Sequence, residues 1–244
     1  MFKKVSQARI YETIVDQVFE SIMRGDLKPD DKLPNEHELS NVFGVSRVTV
    51  REAIRALEQY GIIEVRQGSA GGSYVKHLGV DDVSEQIVKV FSMLNTPFPQ
   101  LSDARMGIEG AVFDQLKKKK VSQEEFLELE NNIAKAELFV KQGNSGERMR
   151  CNFDFHSKLV ALSGNSIYMV VHRVIVFFSH KFFESVQPTE AMMRKTIEGH
   201  CEIVHYMKKG DFDRAGEICK RHIEDVSELI IQKSKNQAKL KNKI

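Results

Sequence analysis

The sequence predicts a mainly α chain in two parts. A small α+β module of three short helices and a hairpin is followed by an all-helical bundle. Three observations carry this. Apolar residues recur at helical spacing through most of the 244 residues. The strand pattern of a hairpin occurs once, over IIEVR, QGSAGG and SYVKH. Beyond about His77 every segment is helical in period and no sequence repeat is evident, which excludes a solenoid.

Each element has a local cause. Ile10, Ile14, Val18 and Ile22 put one apolar face on a first helix, which Gly25 ends. Asn35 with Glu38 makes a capping box for a second helix that carries Leu39 and Phe43 inward, and Gly44 breaks it. Ser46 caps a third helix, where Val50, Ala53, Ile54 and Leu57 form the apolar face and Gly61 lies just past the end. Further helices are expected near 81–94, 100–119, 122–142, 145–162, 166–186, 189–208 and 212–234. Pro97 and Pro99, Gly143–Gly146, Ser163–Asn165, Pro188 and Gly210–Asp211 break them. Ser122 with Glu125 is a second capping box, and the lysines at 117–120 suit a helix C-terminus. The division expected is a small α+β module at 1–76, a linker at 77–81, an all-helical domain at 82–232 and a disordered basic tail at 233–244.

Composition narrows the class. With 41% hydrophobic and 29% charged residues, the chain can build a core and is neither disordered nor collagenous. Three cysteines without a CxxC pattern argue for a reducing compartment. The start MFKKVSQARI lacks the apolar run of a signal peptide, and YMVVHRVIVFF is too short to span a bilayer. A cytoplasmic protein with no membrane partner is expected. Net charge is +2, but the tail from Lys233 holds five lysines and no acid, so removing it leaves −3. Any affinity for nucleic acid must therefore come from local arrangement.

Two helices joined by a glycine turn, then a glycine-rich hairpin, outline a winged helix-turn-helix. Arg47 and Arg51 are four apart and share a face opposite the apolar one. The exposed start of this helix is expected to offer two guanidinium forks and the hydroxyls of Ser46 and Thr49. Such groups bind guanine edges or phosphates. A solvated arginine face is the bland alternative, and the flanking turn and hairpin argue against it. Arg66 at the wing base is a candidate phosphate contact, and the side-chain-poor tip around Gly68 suits close approach to a backbone.

The run KLPNEHELSNVFGVSRVTVREAIRALEQYGIIEVRQGSAGGSYV resembles the DNA-binding domain of the GntR family of bacterial transcription regulators, over residues 8–76. The resemblance implies that Arg47, Thr49 and Arg51 meet operator DNA and that Gly68 lies against its backbone. His37 stands where some relatives carry arginine, so a phosphate contact there would be weaker or pH-dependent.

Three of the eight histidines lie on apolar helix stripes. Met149, Asn152, His156 and Leu159 share one face. Met193, Ile197, His200, Val204 and Met207 share another. Ala215, Cys219, His222, Val226 and Leu229 share a third. A single buried histidine is usually a satisfied core residue, but three on separate helices suggest one convergent site. His205 should face away from His200, and no spacing recommends His172 or His180. Asn152 and His156 at i and i+4 reach one point, and three imidazoles with one oxygen donor suit zinc, nickel, iron or manganese. Cys219 reads as a soft ligand or as an inert buried thiol.

The arrangement of Arg105 and Glu109, then FDFHSKL, SGN, H-CEIVHYMKKGD and RHIEDV, looks like the FCD ligand-binding domain of the FadR subfamily, over roughly 82–232. In metal-binding members an aspartate and three histidines hold the ion. The matching positions are Asn152, His156, His200 and His222, with asparagine where aspartate is usual. A neutral amide predicts weaker divalent-metal affinity or a softer preference. By spacing, Arg105 and Glu109 could simply pair with each other. The resemblance instead turns Arg105 toward an effector carboxylate, with Glu109, Asn165 and Arg173 as further pocket candidates.

The expectation is a homodimeric regulator, a repressor rather than an enzyme, in which a small carboxylate bound near a divalent metal, zinc first, modulates operator binding. Two alternatives are a metal-dependent enzyme carrying a DNA-binding module and a regulator with a metal-free organic pocket. The first lacks a clear general base apart from Glu109.

Overall fold

The computed structural model describes residues 8–68, 71–94 and 96–241. The chain divides between Asp82 and Val83 into two compact units.

The first unit holds α1 (Ala8–Met23), α2 (Glu36–Phe43), α3 (Arg47–Gln59), β1 (Ile63–Arg66) and β2 (Gly72–Val75). The strands are antiparallel, with Ile63 opposite Val75 and Arg66 opposite Gly72. Asn35 closes its capping box with Glu38 at the start of α2. Gly44 ends that helix at φ 64°, a left-handed turn that glycine adopts without a Cβ penalty. Val50, Ala53 and Leu57 face inward, with Ile54 partly buried, as their spacing predicts. Ala53, Ile54 and Leu57 meet Ile14 and Val18 from α1, Leu33 from the loop, and Ile63 and Val75 from the strands. The loop before α2 adds an edge to the hairpin: Lys32 bridges Tyr74, and the Leu33 amide donates to the Ser73 carbonyl at 2.8 Å. No sequence pattern marked that edge.

The second unit is helical, from α4 (Val80–Phe91) through α5 (Phe98–Leu116), α6 (Gln123–Lys141), α7 (Ser145–Ala161), α8 (Ser166–Val186), α9 (Glu190–Lys208) and α10 (Phe212–Lys241). Helix α4 starts at Val80, inside the stretch expected as linker at 77–81, and Asp82 in its first turn accepts from the Gly79 amide at 3.0 Å. The α10 helix packs on α5 and α9, α6 on α7 and α9, and α5 on α8. One core gathers Phe113, Leu129, Phe155, Leu159, Ile203 and Ile218. A second gathers Phe98, Phe153, Ile175, Phe183 and Ile230. The site described below involves residues of both.

The expected disordered tail is corrected. Helix α10 continues to Lys241, and the last three residues lie outside the described ones. Its sequence past Lys233 contains no glycine or proline, and its lysine, glutamine, alanine and leucine are good helix formers. No described helix is long and apolar enough to cross a membrane.

Candidate functional site

Two sites stand out, one in each unit. In the first, Ser46 caps α3 by accepting from the Thr49 amide at 3.2 Å, and the two hydroxyls lie 2.9 Å apart. Thr49 is only 3% exposed, so the expectation of an outward hydroxyl there is corrected. It faces inward next to Val50 and steadies Ser46, which remains exposed with Arg47. Arg51 is on the same surface, but its guanidinium forks onto Glu36 of α2 at 2.9 and 2.7 Å. That hydrogen bond holds the Glu36 carboxyl below its usual range, with burial opposing and with Arg47 and Arg55 adding attraction. The Arg51 side chain is still 51% exposed, so a DNA group could take it from Glu36.

His37 is exposed in the first turn of α2. Arg66 is engaged within the module. It pairs with Asp30 at 2.7 Å and Glu64 at 2.6 Å, and lies 4.2 Å over the Tyr74 ring. It reaches a phosphate only by leaving those carboxylates. Gly68 sits at the wing tip with φ 97°, while Ser69 and Ala70 lie outside the described residues.

In the second unit the three stripe histidines converge. His156 comes from α7, His200 from α9 and His222 from α10, and all are buried. Their donor atoms lie within 4.8 Å of one another. The Nε2 atoms of His156 and His200 are 3.0 Å apart. Phe155 stacks on His200 at 3.9 Å between centroids and fixes that ring.

Behind the rings, Glu109 of α5 is 0% exposed and accepts from four groups. Arg105 Nε lies 2.6 Å from one carboxylate oxygen and His172 Nε2 3.1 Å from the same one. His156 Nδ1 lies 2.6 Å and Cys219 Sγ 3.3 Å from the other. Burial alone would raise the Glu109 carboxyl, but the charges and hydrogen bonds of Arg105, His156 and His172 hold it well below its usual range. It is therefore a carboxylate, and His156 donates through Nδ1. That leaves the His156 Nε2 lone pair facing the cluster.

Burial pushes His156 down to about 4, with the positive Arg105 adding to this and Glu109 opposing it. His200 and His222 are held well below the ordinary histidine value, again first by burial. Neutral rings are the form that binds metal.

The residues fit a divalent ion. Two nitrogens about 2.1 Å from one ion lie about 3.4 Å apart at a tetrahedral angle and about 3.0 Å apart at an octahedral one, and the His156–His200 spacing of 3.0 Å meets the octahedral value. The Asn152 Oδ1 atom is buried with no hydrogen-bond partner, while its Nδ2 touches Met193 Sδ at 3.8 Å. An unpartnered buried oxygen beside neutral imidazoles is a donor waiting for a cation. A cavity of about 20 Å³ lies here, lined by Arg105, Asn152, His156 and His222 among others. Cys219 is the inert alternative. Burial raises its thiol well above the ordinary value, and Glu109 adds to this.

Sequence reasoning missed several residues. His172, deep in an apolar run, is a Glu109 partner and not an idle core histidine. Gly199 was missed too: a Cβ there would lie 2.5 Å from His222 Nδ1, so this helical glycine makes room for the ring.

Three effector candidates are corrected. Glu109 is enclosed by its four donors and anchors His156. Asn165 caps α8, accepting from the Ile167 and Tyr168 amides. Arg173 is exposed, whereas its neighbour His172 is buried. Arg105 does line the cavity.

Residues 10–74 match the gntR family of bacterial regulatory proteins, and residues 100–225 match the FCD domain. The mannosyl-D-glycerate transport/metabolism system repressor MngR of Escherichia coli is 54% identical over 67 residues, 28% of this chain and 27% of that protein. The HTH-type transcriptional regulator LutR of Bacillus subtilis is 25% identical over 217 residues, 86% of this chain and 95% of its own. A solved Streptococcus agalactiae GntR structure superposes with a TM-score of 0.66 at 26% identity, covering 89% of this chain and 99% of that one. These relatives are transcription regulators and not enzymes. With its winged helix-turn-helix followed by an all-helical FCD domain, the chain belongs to the GntR family of transcription regulators, FadR-like subfamily.

Proposed function

We propose that the protein is a homodimeric repressor whose operator binding responds to a small carboxylate held near a divalent metal. Residues 1–76 would read DNA, with Arg47 and Arg51 at base edges or phosphates. Ser46 would take a phosphate at the start of α3, and Gly68 would bring the wing against the backbone. Arg66 would serve as a secondary phosphate contact by leaving its carboxylates, and His37, exposed in the first turn of α2, is another candidate. A two-fold operator matches two copies of the module.

In the helical domain, Asn152, His156, His200 and His222 would hold the ion, zinc first and nickel, iron or manganese next. The ion would supply Lewis-acid attraction for an effector carboxylate. Arg105 would receive that carboxylate, and Glu109 would hold both Arg105 and His156 in place. The observation that carries this reading is three neutral imidazoles beside the unpartnered Asn152 oxygen. Its repressor element is supported by the name of MngR, a relative through the DNA-binding module.

The test is operator binding, on a sequence recovered by in vitro selection, with and without zinc and a panel of hydroxy acids, sugar acids and dicarboxylates. A shift in operator affinity with one acid, lost in His200→Ala, is expected. No shift with any acid would remove the sensor role and leave DNA binding standing.

A further inference from the structure

We propose that Arg148 is a second anion-binding residue of the effector site and that the effector is a diacid. One end would be held at the histidine cluster beside Arg105, the other at Arg148. This rests on the carboxylate-effector reading above.

Arg148 is in the first turns of α7 and is 6% exposed. Its Nε has no hydrogen-bond partner. The acid whose charge it feels is Glu190, one oxygen of which is held by Arg194 at 2.7 Å, and Glu184 lines the same cleft. Among the described residues, three buried side-chain polar atoms lack a partner, on Asn132, Arg148 and Asn152. Two of those three are one turn apart on α7. With His156 one turn further, positions 148, 152 and 156 form a polar file along one face of a helix that otherwise packs on apolar neighbours. Folded proteins leave few such atoms unmet, so two in a row toward a ring cluster mark a ligand path.

The file runs between two spaces. At its outer end is a cleft of about 550 Å³, lined by Arg148, Met149, Phe183, Gln187, Pro188 and Met193 among others. That is the size of a small-molecule site. At its inner end is the 20 Å³ cavity at the histidines, which holds a single ion or water and no organic acid. Met149 and Phe183 line both spaces and form the wall between them. Met193 lines the outer cleft and touches Asn152.

Met149 in that wall and Met193 in the outer cleft make the passage adaptable. An acid in the cleft can push one carboxylate past them toward Arg105 and the histidines. Arg148 lies about 12 Å from His156 along the helix axis, too far for one short monoacid to reach both ends. A five- or six-carbon chain with an acid at each end can use both. The α7 N-terminus adds a positive field at the Arg148 end.

The experiment uses the full chain loaded with zinc, titrated calorimetrically with adipate and with butyrate, for the wild type and Arg148→Met. Wild type is expected to bind adipate at least tenfold more tightly than butyrate. Arg148→Met is expected to lose that advantage, keep butyrate binding, and melt no lower than wild type without ligand. Equal adipate binding by Arg148→Met overturns the proposal. A lower melting temperature with both acids weakened alike also does, because it makes Arg148 structural. If wild type binds both acids equally, the diacid inference falls and the carboxylate reading stands. If it binds neither, the diacid inference falls, and the carboxylate reading is decided by the acid panel of the operator assay.

Discussion

Gly199→Ala tests the site through a residue that touches no ligand. The added Cβ would sit 2.5 Å from His222 Nδ1, 3.1 Å from Cγ and 3.3 Å from Cε1. Ordinary contact needs about 3.5 Å, so the ring must retreat by about 1 Å. Metal sites tolerate about 0.2 Å in ligand distance, and disturbing the surroundings of a ligating histidine costs about 10–100-fold in affinity. Stability moves less clearly. Overpacking costs about 1–3 kcal/mol, and replacing a helical glycine by alanine returns up to about 1 kcal/mol.

Metal-induced stabilisation is therefore the readout. At a zinc concentration 100 times the wild-type Kd, the wild type gains about 2.7 kcal/mol. The variant, 10–100-fold weaker, gains about 0.4–1.4 kcal/mol at the same concentration. At about 2–4 °C per kcal/mol, a thermal melt with and without zinc separates the two, and a competition titration against a chromogenic chelator gives the affinities directly. If Gly199→Ala keeps the wild-type affinity and melting shift, His222 is not a ligand in the position the structure gives it.

Other outcomes follow from the same geometry. Arg47→Ala should weaken operator binding and lower the salt dependence of log K by about one phosphate contact; an unchanged slope would show that Arg47 meets no phosphate. Glu36→Gln frees Arg51 and removes an acid from the DNA-facing surface, so fluorescence anisotropy should show tighter binding to nonspecific duplex. Glu109→Gln leaves the buried Arg105 charge uncompensated and should cost about 3–5 kcal/mol by chemical denaturation; a loss under about 1 kcal/mol would show that the carboxylate does not hold the cluster.

His156 falls from an ordinary 6.5 to about 4 in the fold. The unfolded chain therefore binds more protons between those pH values, and stability is full above 6.5 and declines as pH drops toward 4. The loss from this residue is about 3 kcal/mol, and His200 and His222 act in the same direction. Flat stability from pH 7 to 4 in metal-free protein would contradict the burial of neutral rings.

Much of this architecture was legible because local chemistry fixes it. The Asn35–Glu38 and Ser122–Glu125 boxes and the Ser46 cap set helix starts that the structure reproduces. The stripes of α7, α9 and α10 point His156, His200 and His222 inward as their periods require. Periodicity names a face and not what lies opposite it. Glu109 meets His172 and Cys219 across 63 and 110 residues of chain, and no pattern within α5 announces either. The Arg51–Glu36 fork joins two helices through their crossing geometry, which spacing within α3 cannot contain. Thr49 turned inward because Ser46 offered it a hydroxyl one turn away. Two clues were present in the sequence. Gly199 weakens the interior of α9 unless something needs its space, and His172 with Arg173 interrupts an otherwise apolar run. The continuation of α10 to Lys241 was concealed by its charge, which resembles a solvated tail although its residues favour a helix.

The most direct measurement is anomalous diffraction at the zinc edge from crystals of the full chain, purified without chelator and equilibrated with zinc. A single peak within bonding distance of the His156, His200 and His222 rings and of the Asn152 oxygen is predicted. No peak there, in crystals where those three rings are ordered and clustered, would contradict the metal site.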